Sequence, residues 1–330
     1  MTLGAILGTA LLVALTRPTA WLLALASFLV RGGILWFLAP ILILPTPVGL
    51  ANALGPTIVE FVFAGLSLGL ILAMLGGAVG IVIWIVGGGL AAAAIEVELM
   101  AMVAGDDELA PTDRPGDVLT VPSGRTLRVL AVHLIALIPA AVALVAGTTR
   151  IVAVTYAELT LPSGADAPFV WRVLEAVPDA IVLVLLAWVL GEVVGALASR
   201  RVVLGDPSIL RGLVGAVVDV VRHPVRNGAL FGLPSLVLVL VLLPTAAASA
   251  VSWTGLRAAL ADGSCPVAVG GALALFLGLW AVGLTLTGAV CAWRQAVWTV
   301  AMVPADRGTF GGSADGRPGD WNAGEASGTL

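Results

Sequence analysis

Charged side chains inside apolar stretches are the residues of this sequence that could do chemistry. Arg31 stands in the segment FLVRGGILWF (residues 28–37), within an apolar run that covers residues 20–44. Other ionisable side chains stand in equally apolar surroundings, at Glu96, Glu98, His133, Glu192 and Arg294. Inside a membrane such groups are costly, so they face the protein interior or a wet cavity and have partners. Arranged together, they could form ion pairs, bind an anion or a lipid headgroup, or form a catalytic site.

The composition identifies the apolar runs as membrane spans. Of the 330 residues, 60% are hydrophobic and only 11% are charged, against about 25% charged in soluble domains. Six runs exceed the roughly 20 residues that a spanning helix needs; they cover about 19–45, 67–104, 128–153, 169–202, 226–251 and 267–302. The sequence therefore predicts an all-α, polytopic membrane bundle of six transmembrane helices, arranged as three hairpins with short interfacial helices.

The types of polar residue exclude several classes of function. All 16 basic residues are arginine, so the lysine of a P-loop, a Schiff base or a Ser-Lys pair is missing. The two histidines, His133 and His223, are too few for a histidine-rich zinc site. A net charge of -4 with mixed signs provides no basic surface for nucleic acid. We expect no cofactor, no metal, no nucleic-acid partner and no enzymatic activity.

Arginines in the connections predict the topology. The connections 104–128 and 200–226 carry Arg114, Arg125, Arg128, Arg200, Arg201, Arg211, Arg222 and Arg226, whereas 45–56 carries no charge. Arginine-rich connections stay in the cytoplasm, which predicts that both termini are cytoplasmic. Residues 56–104 could hold one span or two. We favour one span, preceded by a short outer helix at 56–66. A seventh span would place the arginine-rich connection 200–226 on the outer side of the membrane.

The chain divides into a membrane domain and a tail. Residues 1–303 form the predicted membrane domain, and residues 304–330, rich in Gly, Ala, Ser and Asp, form a predicted disordered cytoplasmic tail. Residues 208–222 have helical amphipathic periodicity, with Ser208 as the N-cap, and are too short to span. They predict an interfacial helix.

Helical rise places the buried charges in one layer. Arg31 lies about 18 Å along the first helix, and Glu96, Glu98, His133, Glu192 and Arg294 lie about 8–15 Å from the cytoplasmic ends of theirs. We expect Arg31 and Arg294 to pair with Glu96, Glu98 and Glu192. Three interpretations stay open: ion pairs that fix helix register, a cavity that binds an anion or a lipid headgroup, and a catalytic site.

Two further patterns concern surfaces. Arg172, Glu175 and Asp179 follow helical spacing at the start of the fourth span and predict an outer, salt-bridged interfacial stripe, with a cation site as the alternative. Small residues recur every four positions at Gly65, Gly69, Ala73 and Gly77, and again at Gly191 and Gly195. Such ridges allow close helix packing, either within the chain or in a homodimer.

The layout also resembles a group of bacterial membrane proteins. Long helices run into Gly105-Asp106 and Gly205-Asp206, and Arg17-Pro18 and His223-Pro224 stand at span entrances. In this the chain is similar to bacterial six-helix membrane proteins that include the membrane domain attached to some glycerophosphodiester phosphodiesterases. The catalytic domain of those enzymes is absent, so the resemblance implies an accessory or scaffold module of the bacterial cytoplasmic membrane. The alternative is a small transporter or channel-like protein with a polar cavity at Arg31, Glu96, Glu192 and Arg294.

Overall fold

Six long helices form the body of the protein and confirm the predicted fold class. The computed structural model describes residues 2–41, 65, 67–104, 124–161, 169–205, 208–263 and 265–302. Within these residues six helical segments are long and apolar enough to cross a membrane: Pro18–Leu38, Leu68–Ala104, Gly124–Glu158, Pro178–Gly205, Pro224–Ala261 and Pro266–Met302. The proposed outer helix at 56–66 and the tail at 304–330 lie outside the described residues, apart from Gly65.

Several spans consist of more than one helix. The helices are α1 (Leu3–Thr16), α2 (Pro18–Phe28), α3 (Ile34–Leu38), α4 (Leu68–Ile83), α5 (Gly89–Ala104), α6 (Gly124–Ala136), α7 (Ile138–Thr160), α8 (Phe169–Ala176), α9 (Pro178–Gly205), α10 (Ile209–Arg222), α11 (Pro224–Ala261) and α12 (Pro266–Met302). Single π-helical turns at Leu29–Gly33 and Trp84–Gly88 join α2 to α3 and α4 to α5.

Helix α12 lies at the centre of the bundle. It packs against α11, α2, α1, α5 and α9, and α9 packs in turn against α7, α6 and α10. A Cβ atom added at Gly288 of α12 would lie 2.8 Å from the carbonyl oxygen of Trp21, so this glycine sets the approach of α12 to α2. Consecutive spans contact each other in pairs, α2 with α5, α7 with α9 and α11 with α12, as three hairpins require.

The two glycines after Arg31 produce a break in the first span. Gly32 has φ +107°, a left-handed conformation that side-chain-bearing residues rarely adopt, and it lies inside the π-helical turn. A Cβ atom at Gly33 would lie 2.2 Å from the Phe28 ring. The first span is therefore locally broken at Gly32, and Arg31 sits directly before the break.

Helix α4 projects from the bundle without a buried residue. Its apolar side chains, including Leu68, Leu72 and Ile83, are exposed. The following helix α5 is the opposite, because most of its residues from Ala92 to Val103 are buried. The second span therefore has one half inside the bundle and one half on its surface.

Helix α10 forms where its amphipathic pattern predicts it. It begins after the N-cap Ser208 and ends at Arg222. Gly212, Leu213 and Ala216 are buried, and a Cβ atom at Gly212 would lie 2.7 Å from Val202 Cγ2 of α9. The helix thus lies along the end of the fourth span. Arg201 Nη2 lies 3.6 Å from Asp219 Oδ2, which links the two helices on their polar side.

The two glycine ridges have different environments. Cβ atoms at Gly191 and Gly195 would meet α6, at 2.8 Å from the Ala136 carbonyl oxygen and 3.0 Å from His133 Nδ1. This ridge is used for packing within the chain, and the homodimer alternative for Gly191 and Gly195 stays a prediction. Gly69 and Gly77 have no atom within 4 Å of an added Cβ. Gly65 precedes α4 and does not belong to its ridge.

We predict different effects for two glycine-to-alanine substitutions. Gly191→Ala should lower the free energy of unfolding by about 1–3 kcal/mol, because its Cβ meets a backbone carbonyl that cannot rotate away. Gly278→Ala on α12 has open space around its Cβ and should be neutral or gain up to about 1 kcal/mol of helix propensity. Denaturant titration of the purified protein in detergent measures both. Equal effects would contradict the packing of α9 on α6.

Candidate functional site

The carboxylate of Glu96 is the centre of a buried polar cluster. Glu96 lies on α5 and is 1% exposed. Its Oε2 accepts from Arg31 Nη2 at 2.7 Å and lies 2.8 Å from His133 Nε2. Because a carboxylate only accepts hydrogen bonds, His133 Nε2 carries the proton in this contact. The expected ion pair between Arg31 and Glu96 is present.

The second carboxylate oxygen is held by helix α9. Glu96 Oε1 accepts from Arg200 Nη1 at 2.5 Å and from Ser199 Oγ at 3.1 Å. Arg200 is 1% exposed, and its Nη1 also donates to the Ala196 carbonyl oxygen at 3.1 Å. Its other terminal nitrogen, Nη2, donates to Gln295 Oε1 of α12. Both oxygens of Glu96 thus have charged donors.

Arg200 corrects the interpretation of the 200–226 connection. The sequence placed this arginine among the cytoplasmic connection residues, but it lies inside the bundle as a main partner of Glu96. The spacing of the sequence could have indicated this position of Arg200. Glu192, Ala196 and Arg200 follow each other every four residues, so Arg200 shares one face of α9 with the mid-span Glu192. Gln295, which follows Arg294, was also missed.

The cluster joins five of the six spans. Arg31 comes from the first, Glu96 from the second, His133 from the third, Ser199 and Arg200 from the fourth, and Gln295 from the sixth. Small residues permit this convergence. Gly195 lies against the His133 ring, where a Cβ atom would come within 3.0 Å of Nδ1.

A small polar cavity lies beside Glu96. Its volume is about 20 Å³, close to the space that one buried water needs. Arg294 and Glu192 both border it, as do the aromatic side chains of Phe231 and Trp298. The remaining lining residues are Arg31, Glu96, His133, Ala196, Arg200 and Gln295.

Not every predicted member of the layer joins the cluster as expected. Glu98 is half-buried on α5 and, among the described residues, makes no ion pair within 4.0 Å, so its predicted pairing is wrong. Arg294 and Glu192 do border the cavity. Within the described part of the chain, however, neither makes an ion pair within 4.0 Å, so the predicted pairings of Arg294 and Glu192 are wrong too.

The outer stripe is interrupted. Arg172 belongs to α8, which ends at Ala176, and Asp179 lies in the first turn of α9, so one continuous helix does not carry both. Arg172 Nη1 lies 3.2 Å from Glu158 Oε2 of α7. Glu175 and Asp179 are exposed and, among the described residues, make no ion pair within 4.0 Å. The salt bridge of Arg172 therefore joins α8 to the preceding span, whereas the sequence predicted a pairing with Glu175 and Asp179.

Comparison of the chain with protein-family models, curated proteins and solved structures finds no significant match. The resemblance to six-helix bacterial membrane proteins therefore stays a prediction, and the function has to be argued from the site itself.

We predict that the two glutamates of α5 differ sharply in their contribution to stability. Glu96→Gln should lower the free energy of unfolding by about 3–5 kcal/mol, because it leaves the buried guanidinium of Arg200 without its counter-charge. Glu98→Gln is the matched control on the same helix and should change it by less than about 1 kcal/mol. Unfolding in mixed micelles measures both variants. Similar losses would mean that the Glu96 cluster does not hold the spans together.

Proposed function

We propose that this chain is a non-enzymatic, multi-pass membrane protein that acts as an accessory or scaffold module of the bacterial cytoplasmic membrane, with both termini in the cytoplasm. The observation that carries this proposal is the arrangement around Glu96. Two arginines, a histidine and a serine from three different spans donate to one carboxylate, and no lone pair of that carboxylate is left for a substrate. Such a group is suited to fixing helix positions.

The exposed half of the second span supports a role in association. Helix α4 places Gly69, Ala73 and Gly77 on an open face with four-residue spacing. In lipid, faces of this kind let two helices approach closely. We propose that the face formed by Gly69, Ala73 and Gly77 mediates homodimerisation, and that the rigid bundle holds it in place.

A transporter or channel-like role is the second candidate, and the cavity favours it. Glu192 and Arg294 border the cavity without a direct ion pair among the described residues, and the Arg31 side chain is 29% exposed. Charged groups that line a water-filled space inside a membrane commonly mark ion or substrate paths. In the present conformation the cavity has room for about one water-sized particle. This small volume favours the scaffold role over the transporter role.

Thiol accessibility separates the two candidates. Ala196→Cys introduces a thiol at the cavity without removing a charge, in a background where Cys265 and Cys291 are replaced by alanine. A scaffold should protect this cysteine from a membrane-impermeant maleimide in vesicles of either orientation. Ala198→Cys, fully buried on the same helix, is the matched control for a dry position. Labelling of Ala196→Cys at more than about tenfold the rate of Ala198→Cys would favour transport.

Bulky substitutions test the association surface. The double variant Gly69→Leu with Gly77→Leu should convert a dimer into a monomer, because two leucines prevent close approach of the helices. Gly278→Leu, which also faces open space on a span, is the matched control and should leave the mass unchanged. Light scattering of the detergent complex after size exclusion measures the mass. A monomeric parent protein, or a dimer that survives the double substitution, would contradict this surface.

A further inference from the structure

The cavity beside Glu96 carries an excess of positive charge. Three guanidinium groups, from Arg31, Arg200 and Arg294, border it together with the two carboxylates of Glu96 and Glu192. Three arginines against two carboxylates leave an excess of one positive charge. An uncompensated charge inside a low-dielectric region is costly, so the cavity is electrostatically suited to a negatively charged ligand.

Hydrogen-bond donors exceed acceptors at the same place. Glu96 is already saturated by its own donors, as described above. Arg294 has no hydrogen-bond or ion-pair partner in the described part of the chain, although its guanidinium offers five N–H groups. Trp298 is 3% exposed, and its indole N–H, which can only donate, also makes no hydrogen bond to any described residue. The Glu192 carboxylate, which also borders the cavity without an ion pair among the described residues, offers about four acceptor positions against these six N–H groups, so unpaired donors are in excess.

The cavity is small. About 20 Å³ accommodates one particle of roughly the size of a water molecule. Among negatively charged ligands, a monovalent anion of the chloride class is nearest to this size, and it supplies the missing negative charge and accepts hydrogen bonds from several directions.

We propose that this cavity is a binding site for a small monovalent anion of the chloride class, held by Arg294 and Trp298 and by the net charge of the Glu96 cluster. The bound ion bridges the sixth span to the others at the position where Arg294 lacks a carboxylate partner. The site is independent of the proposed dimer surface, which lies on α4. An ordered water molecule is the rival occupant, since it also fits the volume but leaves the charge uncompensated.

Chloride-35 NMR line broadening tests the proposal on the full chain in detergent, with sodium gluconate keeping the ionic strength constant. The wild-type protein should broaden the chloride signal in proportion to its concentration, and bromide should reverse the effect by competition. Chloride should also raise the unfolding temperature in a concentration-dependent way, as expected for a ligand that binds only the folded state. Gluconate alone should do neither.

Matched variants assign the effect to the cavity. Arg294→Gln should reduce the broadening at least tenfold, whereas Arg211→Gln, an exposed arginine on α10, should retain it. Trp298→Phe keeps the ring and removes only the N–H group, so it provides a second variant should Arg294→Gln fail to fold. It should weaken binding severalfold, whereas Trp253→Phe on α11 should not. No bromide-reversible broadening by the wild type, or full retention in both cavity variants, would overturn the proposal and leave water as the occupant.

Discussion

The negative charge of Glu96 has to be neutralised inside a low-dielectric bundle, and the arrangement of the spans follows from that requirement. A buried carboxylate without partners would cost several kcal/mol. The donors that prevent this cost are far apart in the chain, at Arg31, His133 and Arg200. Each donor fixes the rotation and depth of the helix that carries it. The cluster thereby specifies one packing among the many that apolar helices could adopt.

Small residues make this neutralisation feasible. Helices in lipid gain little from burying apolar surface against each other, so their association depends on close packing and hydrogen bonds. Gly195 gives the His133 ring its place, Gly191 brings α9 against the backbone of α6, and Gly288 brings α12 against α2. Replacing these residues with larger ones would move the donors out of hydrogen-bond distance. Polar contacts and glycine contacts are thus two parts of one packing solution.

Apolar run length predicted the spans well, because a membrane imposes a minimum number of apolar residues that is visible in any sequence. Arg31 and Glu96 were also predictable, since a mid-span charge needs a partner at the same depth. The burial of Arg200 was not predictable. In the sequence, an arginine near the end of an apolar run looks the same whether its side chain extends into solvent or into the bundle. Its burial depends on Ser199, Gln295 and Glu96, which are contributed by three helices. Counting the helical rise from the end of α5 likewise predicted the depth of Glu98 in the membrane. It did not predict the side of α5 from which Glu98 projects.

The order of the donors along the chain has a consequence for biogenesis. A membrane protein is made from its N-terminus onward, so Arg31 and Glu96 enter the bilayer as the first two spans and can pair at once. His133 arrives with the third span, Arg200 with the fourth and Gln295 only with the sixth. No intermediate of synthesis therefore has to hold the Glu96 carboxylate without a counter-charge. Arg200 likewise reaches the membrane only when its carboxylate is already in place, so the sequence order spares Glu96 and Arg200 a stage without a counter-charge, whereas Arg31 precedes its partner.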